Sequence, residues 1–418
     1  MKKHFVITTL GTAGDIFPFL EIGKYLVGKG CKVSLITNPY FKDVVNNNGL
    51  NFMPFGTTEQ WSATLNDPGL WNPKTGFNTL WAKAIRPNTH CVRLYVQSLP
   101  DDEEVVILSH PALMALANLA KADHENLKVV LFYLYPTIIR SRFSRVALGG
   151  AMSLSPKAPV FLRNFLYSVL DKRFLDVGIV PDLNKERATL GLPAIDHLFP
   201  HLQRSADLYV TLFPEWYAST KPDYPKPLIN GNFVFYTPSD DCMSDELTEF
   251  LDAGQPPILF TAGSGNLHAK KFFEIALDAV EKLNARAVFL SQSREQLPMN
   301  IPDSVLWQKY APFNKILPRV SVFVHHGGIG TLAEASKAGV PQLVVPFAYD
   351  QFDNAQTIED LGIGTSVAGQ FVTKKKLFNK LSQIQHSKEI KDNCVNISAH
   401  FRSGPATGQI LDKVLSAI

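Results

Sequence analysis

The sequence predicts an α/β protein made of two consecutive doubly wound, Rossmann-like domains that face a central cleft. Its 418 residues exceed the size at which one hydrophobic core keeps growing, so two domains of about 200 residues are expected. Short apolar runs alternate with amphipathic segments, a pattern that indicates parallel strands joined by helical crossovers. That pattern stops at a proline-rich stretch and then begins again.

The first half opens with MKKHFVITTL, which resembles a signal-peptide start. Its apolar run is short and is interrupted from Gly11 onwards, so a buried first strand is the better interpretation. Near-continuous apolar strands are typical of a sheet buried on both faces. Strands are predicted at His4–Leu10, Cys31–Thr37, Val105–Ser109 and Lys128–Tyr133, and helices at Phe17–Lys29, Tyr40–Asn48 and Pro111–Ala122.

The stretch Phe213–Pro238 carries five prolines, which suit a stiff connection better than the interior of an element. We therefore expect a first domain over 1–220, a linker over 221–238, a second domain over 239–404 and a C-terminal helix over 405–418. That helix either packs on its own domain or crosses to the first. In the second half, strands are predicted at Pro257–Ala262, Ala287–Ser291, Val305–Gln308, Ser321–His325 and Gln342–Pro346, and helices at Leu267–Leu283 and Ile329–Ala338.

Composition excludes several classes of function. A net charge of +3 is too small for a protein whose main partner is nucleic acid. The four cysteines are scattered singly and have no metal-ligand spacing, so a reducing compartment suffices and no metal is expected. The longest apolar stretch, Val105–Ala120, is too short to span a bilayer. We expect a cytoplasmic protein.

The segment VFVHHGGIGTLAEASKAGVP holds the clearest candidate site. A predicted strand ends at His325 and His326, glycines including Gly328 and Gly330 fill the turn, and a helix follows. Glycines let a ligand approach the backbone, and a helix N-terminus offers free N–H groups and a positive dipole end. A pyrophosphate would be held there by the amides, one histidine and the hydroxyl of Thr331. The alternative is a closely packed turn that binds nothing.

Other polar residues of the second domain extend this site. Glu334, in the same helix, suits a ribose diol, and Asp350 with Gln351 suits sugar hydroxyls at the carboxyl edge of the sheet. Alternatively, Asp350 caps a helix and Gln351 is exposed. In a second glycine turn, TAGSGN, Gly263 and Ser264 are placed to touch the phosphates.

Residues 310–351 resemble the donor-binding signature of GT-B-fold family 1 glycosyltransferases, a family that includes plant UDP-glucosyltransferases, sterol glucosyltransferases, antibiotic glycosyltransferases and rhamnosyltransferases of rhamnolipid synthesis. The resemblance implies that an aromatic residue followed by Ala-Pro stacks on the base. It implies a pyrophosphate-binding histidine with a nearby hydroxyl, a ribose-binding glutamate and a sugar-binding Asp-Gln pair. Phe313 and Ile329 depart from the plant pattern of glutamine and tryptophan. The matching residues here are Tyr310, Ala311, Pro312, His326, Thr331, Glu334, Asp350 and Gln351.

The N-terminal segment TTLGTAGDIFPFLEIGKYLVGKG resembles the first strand, loop and helix of bacterial and sterol-type members, with Gly14 and Asp15 in matching places. Plant members often carry a histidine as catalytic base where this chain has Asp15. We therefore take Asp15 as the candidate general base, and its pKa would have to be raised by partial burial. The alternative is that Asp15 only caps the helix. For His110 three roles are open from sequence: it orients Asp15, it lines the acceptor pocket, or it is an ordinary structural histidine.

The resemblance implies an inverting, metal-independent hexosyltransferase (EC 2.4.1.-) without a cofactor, which uses a UDP- or dTDP-linked sugar. Alternatives are a sugar-nucleotide epimerase on the same fold and a non-catalytic sugar-nucleotide-binding partner protein. An NAD dehydrogenase is disfavoured, since neither half shows the dinucleotide fingerprint.

The acceptor must be inferred from the first domain. Residues 138–173 combine basic and apolar side chains, which fit either a solvated helix face or a peripheral contact with the inner face of the membrane. The membrane interpretation favours a lipid-like or apolar small-molecule acceptor. Aromatic residues at Trp61, Trp71, Phe77 and Trp81 either line an apolar acceptor pocket or belong to the core.

Overall fold

The computed structural model describes residues 3–72, 74–124, 126–149, 152–155, 157–236, 238, 242–263 and 269–418. The chain divides into two compact units. Unit 1 comprises the chain up to Tyr236 together with Pro405–Ile418, and unit 2 lies between them. Each unit contains its own parallel sheet with helices around it, so the prediction of two doubly wound α/β domains is confirmed.

Unit 1 is built on a sheet of seven parallel strands in the order β3-β2-β1-β4-β5-β8-β9, beside a separate β6–β7 hairpin. Its strands are β1 (Lys3–Thr8), β2 (Lys32–Thr37), β3 (Asn51–Pro54), β4 (Glu104–Ser109), β5 (Lys128–Tyr133), β6 (Val146–Gly149), β7 (Met152–Leu154), β8 (Leu208–Thr211) and β9 (Leu228–Ile229). Its helices are α1 (Ala13–Gly28), α2 (Lys42–Asn47), α3 (Thr58–Leu65), α4 (Gly76–Leu80), α5 (Cys91–Gln97), α6 (Met114–Ala120), α7 (Val160–Asp171), α8 (Val177–Thr189) and α9 (Leu198–Ser205).

Unit 2 is built on a six-stranded parallel sheet in the order β12-β11-β10-β13-β14-β15. Its strands are β10 (Ile258–Thr261), β11 (Ala287–Leu290), β12 (Val305–Gln308), β13 (Val322–His325), β14 (Gln342–Val344) and β15 (Gly364–Ser366). Its helices are α10 (Asp245–Asp252), α11 (Lys270–Lys282), α12 (Phe313–Ile316), α13 (Ile329–Ala338), α14 (Gln351–Asp360), α15 (Lys374–His386) and α16 (Lys388–Ser403).

The C-terminal helix α17 (Thr407–Ala417) belongs to unit 1. Its residues Ile410, Leu411 and Val414 are buried in the same apolar cluster as the strands of that unit. The Tyr25 hydroxyl on α1 donates a 2.6 Å hydrogen bond to Asp412 of α17. Apolar burial together with this polar contact holds the chain end on α1.

Several boundaries differ from the expected ones, and two of the differences bear on the candidate site and on the division into units. Helix α1 begins at Ala13 rather than Phe17, because Thr12 and Asp15 form a capping box that starts the helix four residues before the predicted position. The expected linker 221–238 supplies the edge strand β9, which pairs with β8, so unit 1 extends to Tyr236. Proline is compatible with an edge strand, since one side of that strand makes no ladder hydrogen bonds.

Within the described ranges, none of the helices is both long enough and apolar enough to cross a bilayer.

Candidate functional site

Each sheet changes its winding direction at one pair of neighbouring strands. In unit 1 the pair is β1 and β4, and in unit 2 it is β10 and β13. Helices that follow such a pair leave towards opposite faces of the sheet, which opens a crevice at the carboxyl ends of the strands, where open α/β sheets bind ligands. The candidate residues that follow these strands are Asp15, His110, Gly263 and His326.

Asp15 lies in the first turn of α1, just after β1. One carboxylate oxygen, Oδ2, accepts a 2.9 Å hydrogen bond from the backbone N–H of Thr12, the N-cap residue. The other oxygen, Oδ1, lies 3.8 Å from Nε2 of His110. Burial raises the pKa of Asp15 to about 6, although the hydrogen bonds from Thr12 act in the opposite direction. Asp15 therefore caps its helix with one oxygen and keeps the other turned towards His110.

His110 follows β4 and is buried. Its Nδ1 accepts a 3.1 Å hydrogen bond from the backbone N–H of Ala112, which places the ring proton of the neutral imidazole on Nε2. No protein group among the described residues hydrogen-bonds that Nε2, and the carboxylate of Asp15 is the charged group beside it. Burial lowers the pKa of His110 to about 3, so the ring is neutral at physiological pH. His110 thus presents an N–H towards Asp15.

The loop before Asp15 depends on a glycine that sequence analysis did not single out. Gly11 has φ +146°, and a Cβ there would lie 2.1 Å from Oδ2 of Asp15. The side chain of Asn38 donates a 3.0 Å hydrogen bond to the Gly11 carbonyl. A Cβ on Gly14, by contrast, would meet no atom within 4 Å among the described residues outside its own helix turn, so the backbone there is open to an external ligand.

In unit 2, His326 is wedged between two glycine backbones. A Cβ on Gly263 would lie 2.8 Å from the imidazole, and a Cβ on Gly328 would lie 2.5 Å from its Nε2. Burial lowers the pKa of His326 to about 4, and its buried Nδ1 has no hydrogen-bond partner among the described residues. A neutral imidazole therefore lies at the start of α13, held between Gly263 of the loop after β10 and Gly328 of the loop after β13.

His325 has a different role from its neighbour. Its Nδ1 accepts from the backbone N–H of Gly327 at 3.1 Å, and its Nε2 lies 2.9 Å from Oε1 of Gln342. Gln342 in turn donates to the hydroxyl of Ser336 on α13 at 3.0 Å. The buried chain satisfies His325 fully and links β13, β14 and α13. His325 is structural, and His326 is the histidine available to a ligand.

The N-terminus of α13 is uncovered by any side-chain cap. Gly328 is the N-cap, and the first helical amides have no partner within their own helix. Gly330 is exposed, and a Cβ on it would meet nothing within 4 Å. Thr331 and Glu334, in the first two turns, are half-buried. Free amides, a dipole end and a neutral imidazole together make this turn a candidate anion site, built without a fixed positive charge.

Asp350 and Gln351 begin α14 beside this turn. Asp350 is the N-cap residue, yet its carboxylate accepts a 2.6 Å hydrogen bond from the side chain of Asn354 rather than from helix amides. The same Asn354 Nδ2 donates to the Gly327 carbonyl at 2.8 Å. Gln351 is buried, and its Oε1 accepts from the backbone N–H groups of Phe347 and Ala348. The alternative of an exposed glutamine is therefore wrong.

Two residues here were missed by sequence analysis. Asn354 joins the Asp350 carboxylate to the glycine turn, and its only sequence signal is its place one helical turn after Asp350. Tyr349, just before Asp350, has φ +54°, a conformation that a bulky residue rarely adopts and that is common at ligand sites. No sequence pattern reveals such a φ.

Two predicted donor residues lie on the loop after β12. The Tyr310 side chain is 56% exposed, which leaves its ring accessible to a flat ligand. Ala311 is buried in the same apolar cluster as Ala335 of α13 and anchors that loop. Ser264 lies outside the described residues.

The aromatic residues proposed for an acceptor pocket divide between two environments. Trp61 and Trp81 are buried, and the Trp81 indole donates to Asp182 at 3.4 Å, so both belong to the core. Trp71 and Phe77 are half-buried.

Comparisons with known families agree for both halves of the chain. Residues 5–93 match the glycosyltransferase family 28 N-terminal domain. Residues 274–416 match the C-terminal domain of erythromycin biosynthesis protein CIII-like proteins. The two matched regions together cover more than half of the chain.

Among curated proteins, the chain is 26% identical over 383 residues to the glycosyltransferase GtfE of Amycolatopsis orientalis, covering 89% of this chain and 88% of that protein. It is 24% identical over 415 residues to the sterol 3-beta-glucosyltransferase of Saccharomyces cerevisiae (strain YJM789), covering 93% of this chain. The chain spans 33% of the length of this relative and 23% of the length of the sterol 3-beta-glucosyltransferase of Debaryomyces hansenii, so it matches only a part of such fungal proteins.

Among solved structures, the chain is similar to the glycotransferase of kitacinnamycin, with a TM-score of 0.71, 18% identity and coverage of 100% of this chain and 99% of that one. It is also similar to the glycosyltransferase VinC, solved in complex with dTDP, with a TM-score of 0.69, 17% identity and 99% coverage of both chains. At these identities the likeness shows the fold, which is GT-B.

Proposed function

Because this chain belongs to the GT-B-fold glycosyltransferases, we propose that it transfers a hexose from a nucleoside-diphosphate sugar to a hydroxyl group of an apolar acceptor, with inversion at the anomeric carbon. The observation that carries the donor half is the neutral His326, held between Gly263 and Gly328 at the uncovered start of α13. The acceptor half depends on Asp15.

The donor diphosphate binds at the glycine turn of unit 2. The first amides of α13 and its dipole stabilise the negative charge, His326 donates one hydrogen bond, and the hydroxyl of Thr331 donates another. Fixed donors of this kind stabilise a leaving nucleoside diphosphate without a metal ion. Tyr310 stacks on the base, and Glu334 binds the ribose. Asp350 and Gln351 bind the hexose, with the Gln351 carbonyl oxygen already committed to backbone amides.

In the transfer step the acceptor oxygen forms a bond to the anomeric carbon while the bond from that carbon to the β-phosphate oxygen breaks. Asp15 takes the acceptor proton through its carboxylate, and the nucleoside diphosphate leaves. A base with a pKa of about 6 is ionised at neutral pH and is a stronger proton acceptor than an ordinary aspartate. The Nε2–H of His110, 3.8 Å from Oδ1, favours the orientation of the ionised carboxylate electrostatically, without a hydrogen bond. Backside attack in one step inverts the anomeric configuration.

The nucleotide is uridine or thymidine in this proposal. VinC was solved with dTDP, and sterol glucosyltransferases are among the relatives, which supports an apolar acceptor.

A ligand screen followed by a turnover assay tests the proposal. We expect UDP or dTDP to raise the melting temperature of the protein, because a ligand that binds only the folded state stabilises it. With the matching nucleotide sugar and a panel of sterols, hydroxy-fatty acids and polyketide alcohols, we expect release of the nucleoside diphosphate. No stabilisation by any nucleoside diphosphate would contradict the proposal.

A further inference from the structure

A continuous helical segment in unit 1 carries an unusual set of exposed apolar side chains. Helix α7 continues through one wide turn at Lys172–Asp176 into α8. Phe161, Phe165 and Val169 are spaced four residues apart, so they lie along one side of α7. The exposed apolar residues of this segment, which we call the 160–177 face, are Val160 (39% exposed), Phe161 (76%), Phe165 (63%), Val169 (44%), Phe174 (38%) and Val177 (67%).

The charges on this segment are sorted by sign. Its two acids are buried and paired: Asp171 binds Arg140 at 2.6 Å, and Asp176 binds His197 at 2.7 Å. Of the basic residues within 157–177, Arg163 is also buried. The charged side chains that remain exposed are all basic, namely Lys157, Lys172 and Arg173.

Single exposed apolar residues are common on protein surfaces, but contiguous patches mark interaction sites. On this helical segment Arg163, Asp171 and Asp176 are buried, whereas Phe161 and Phe165 are 76% and 63% exposed and therefore available to a partner. Exposed apolar side chains on a segment whose exposed charged residues within 157–177 are all basic match the surface of an anionic bilayer, which offers acyl chains beside negative headgroups.

We propose that the 160–177 face binds anionic membrane surfaces, with Phe161 and Phe165 inserted at the headgroup level and Lys157, Lys172 and Arg173 beside the phosphates. The proposed contact is smaller than the one expected from residues 138–173, because the Arg140 side chain pairs with Asp171 and the Arg163 side chain is buried. It also extends to Val177. The inference does not depend on the sugar-transfer proposal.

Vesicle co-sedimentation of the full chain tests the face. We expect binding to vesicles of equal parts phosphatidylcholine and phosphatidylglycerol, and at least about tenfold weaker binding to phosphatidylcholine alone. Phe161→Ser with Phe165→Ser is expected to weaken binding to the anionic vesicles at least about tenfold, since two large apolar side chains lose their contact. The matched control, Met299→Ser with Val395→Ser, changes residues of similar exposure (90% and 66%) in unit 2 and is expected to bind as the wild type does.

Charge is tested separately by Lys172→Glu with Arg173→Glu, which we expect to weaken binding to anionic vesicles at least about tenfold. The control Lys375→Glu with Lys388→Glu changes net charge equally in unit 2. Equal losses in both pairs would mean that only overall charge matters and would overturn the proposal. So would unaltered vesicle binding by the Phe161→Ser, Phe165→Ser variant. If that variant instead converted a dimer into a monomer in sedimentation velocity, with vesicle binding unchanged, the face would cover a second copy of the chain.

Discussion

Replacing Asp15 with asparagine should greatly reduce turnover and, at neutral pH, make the protein more stable. Burial raises the pKa of Asp15 from 3.8 to about 6, so the folded protein holds the charged form less favourably than the unfolded chain does. A shift of about two units corresponds to about 3 kcal/mol of unfolding free energy. Because the side chain is 29% exposed, solvent screening reduces the expected gain to about 1–2 kcal/mol.

The pH dependence of this gain has a definite sign. Since the folded-state pKa is the higher one, Asp15 imposes no penalty below pH 3.8, where it is protonated in both states. The penalty grows as the pH rises towards about 6 and is complete above it. Asp15→Asn should therefore melt like the wild type near pH 4 and about 2–8 °C higher at pH 7, by calorimetry.

Activity should change in the opposite direction. Loss of a general base lowers turnover by about 10²–10⁴-fold. In the wild type, turnover should fall on the acid side with an apparent pKa near 6, as Asp15 is protonated. Asp15→Ala is the control for capping, because it also loses the 2.9 Å hydrogen bond from Thr12 and should gain less stability than asparagine. If Asp15→Asn melted lower than the wild type at pH 7, or kept its turnover, the residue would be a cap and not the base.

Three further changes probe unit 2. His326→Ala should weaken nucleoside diphosphate binding about 10- to 100-fold, which is the effect of one lost hydrogen bond to a charged group, and should not lower the melting temperature. An unchanged Kd in titration calorimetry would refute the role of His326. Gly328→Ala should weaken nucleoside diphosphate binding to a similar extent, because its Cβ would displace the His326 ring. In the control Gly330→Ala the new Cβ has no neighbour within 4 Å outside its own helix turn among the described residues, so the fold should stay intact. Asn354→Leu should raise the Kd of the nucleotide sugar more than that of the nucleoside diphosphate, because Asp350 loses its hydrogen bond and the Gly327 carbonyl of the glycine turn loses one as well. An increase confined to the nucleoside diphosphate would contradict a role of Asp350 in binding the sugar.

Sequence alone predicted the sheets well, since apolar runs such as Val105–Ser109 and Lys128–Tyr133 have few other interpretations. It missed short edge strands such as β9, whose two residues lie among prolines and gain their pairing from β8. It also began α1 too late, because Gly11 and Gly14 look like a loop although the helix starts between them.

The site residues were chosen by type and spacing, and their partners were not visible. The adjacent His325 and His326 look equivalent in sequence, but successive residues of an extended chain point to opposite sides. His325, at the end of β13, is therefore buried with Gln342, and His326, just after it, meets the glycine turn. The contact of His110 with Asp15 spans 95 positions and follows from the pairing of β1 with β4. The hydrogen bonds from Asn354 to Asp350 and to the Gly327 carbonyl depend on how α14 packs beside the glycine turn, which no spacing in the sequence reveals.

Titration calorimetry of UDP and dTDP into the wild type and His326→Ala tests the donor site most directly. We expect one nucleoside diphosphate to bind the wild type at one site per chain, without added metal, and the variant to bind at least about tenfold more weakly. Binding of equal strength to both proteins would place the diphosphate elsewhere. Absence of binding to either would contradict the account of the glycine turn.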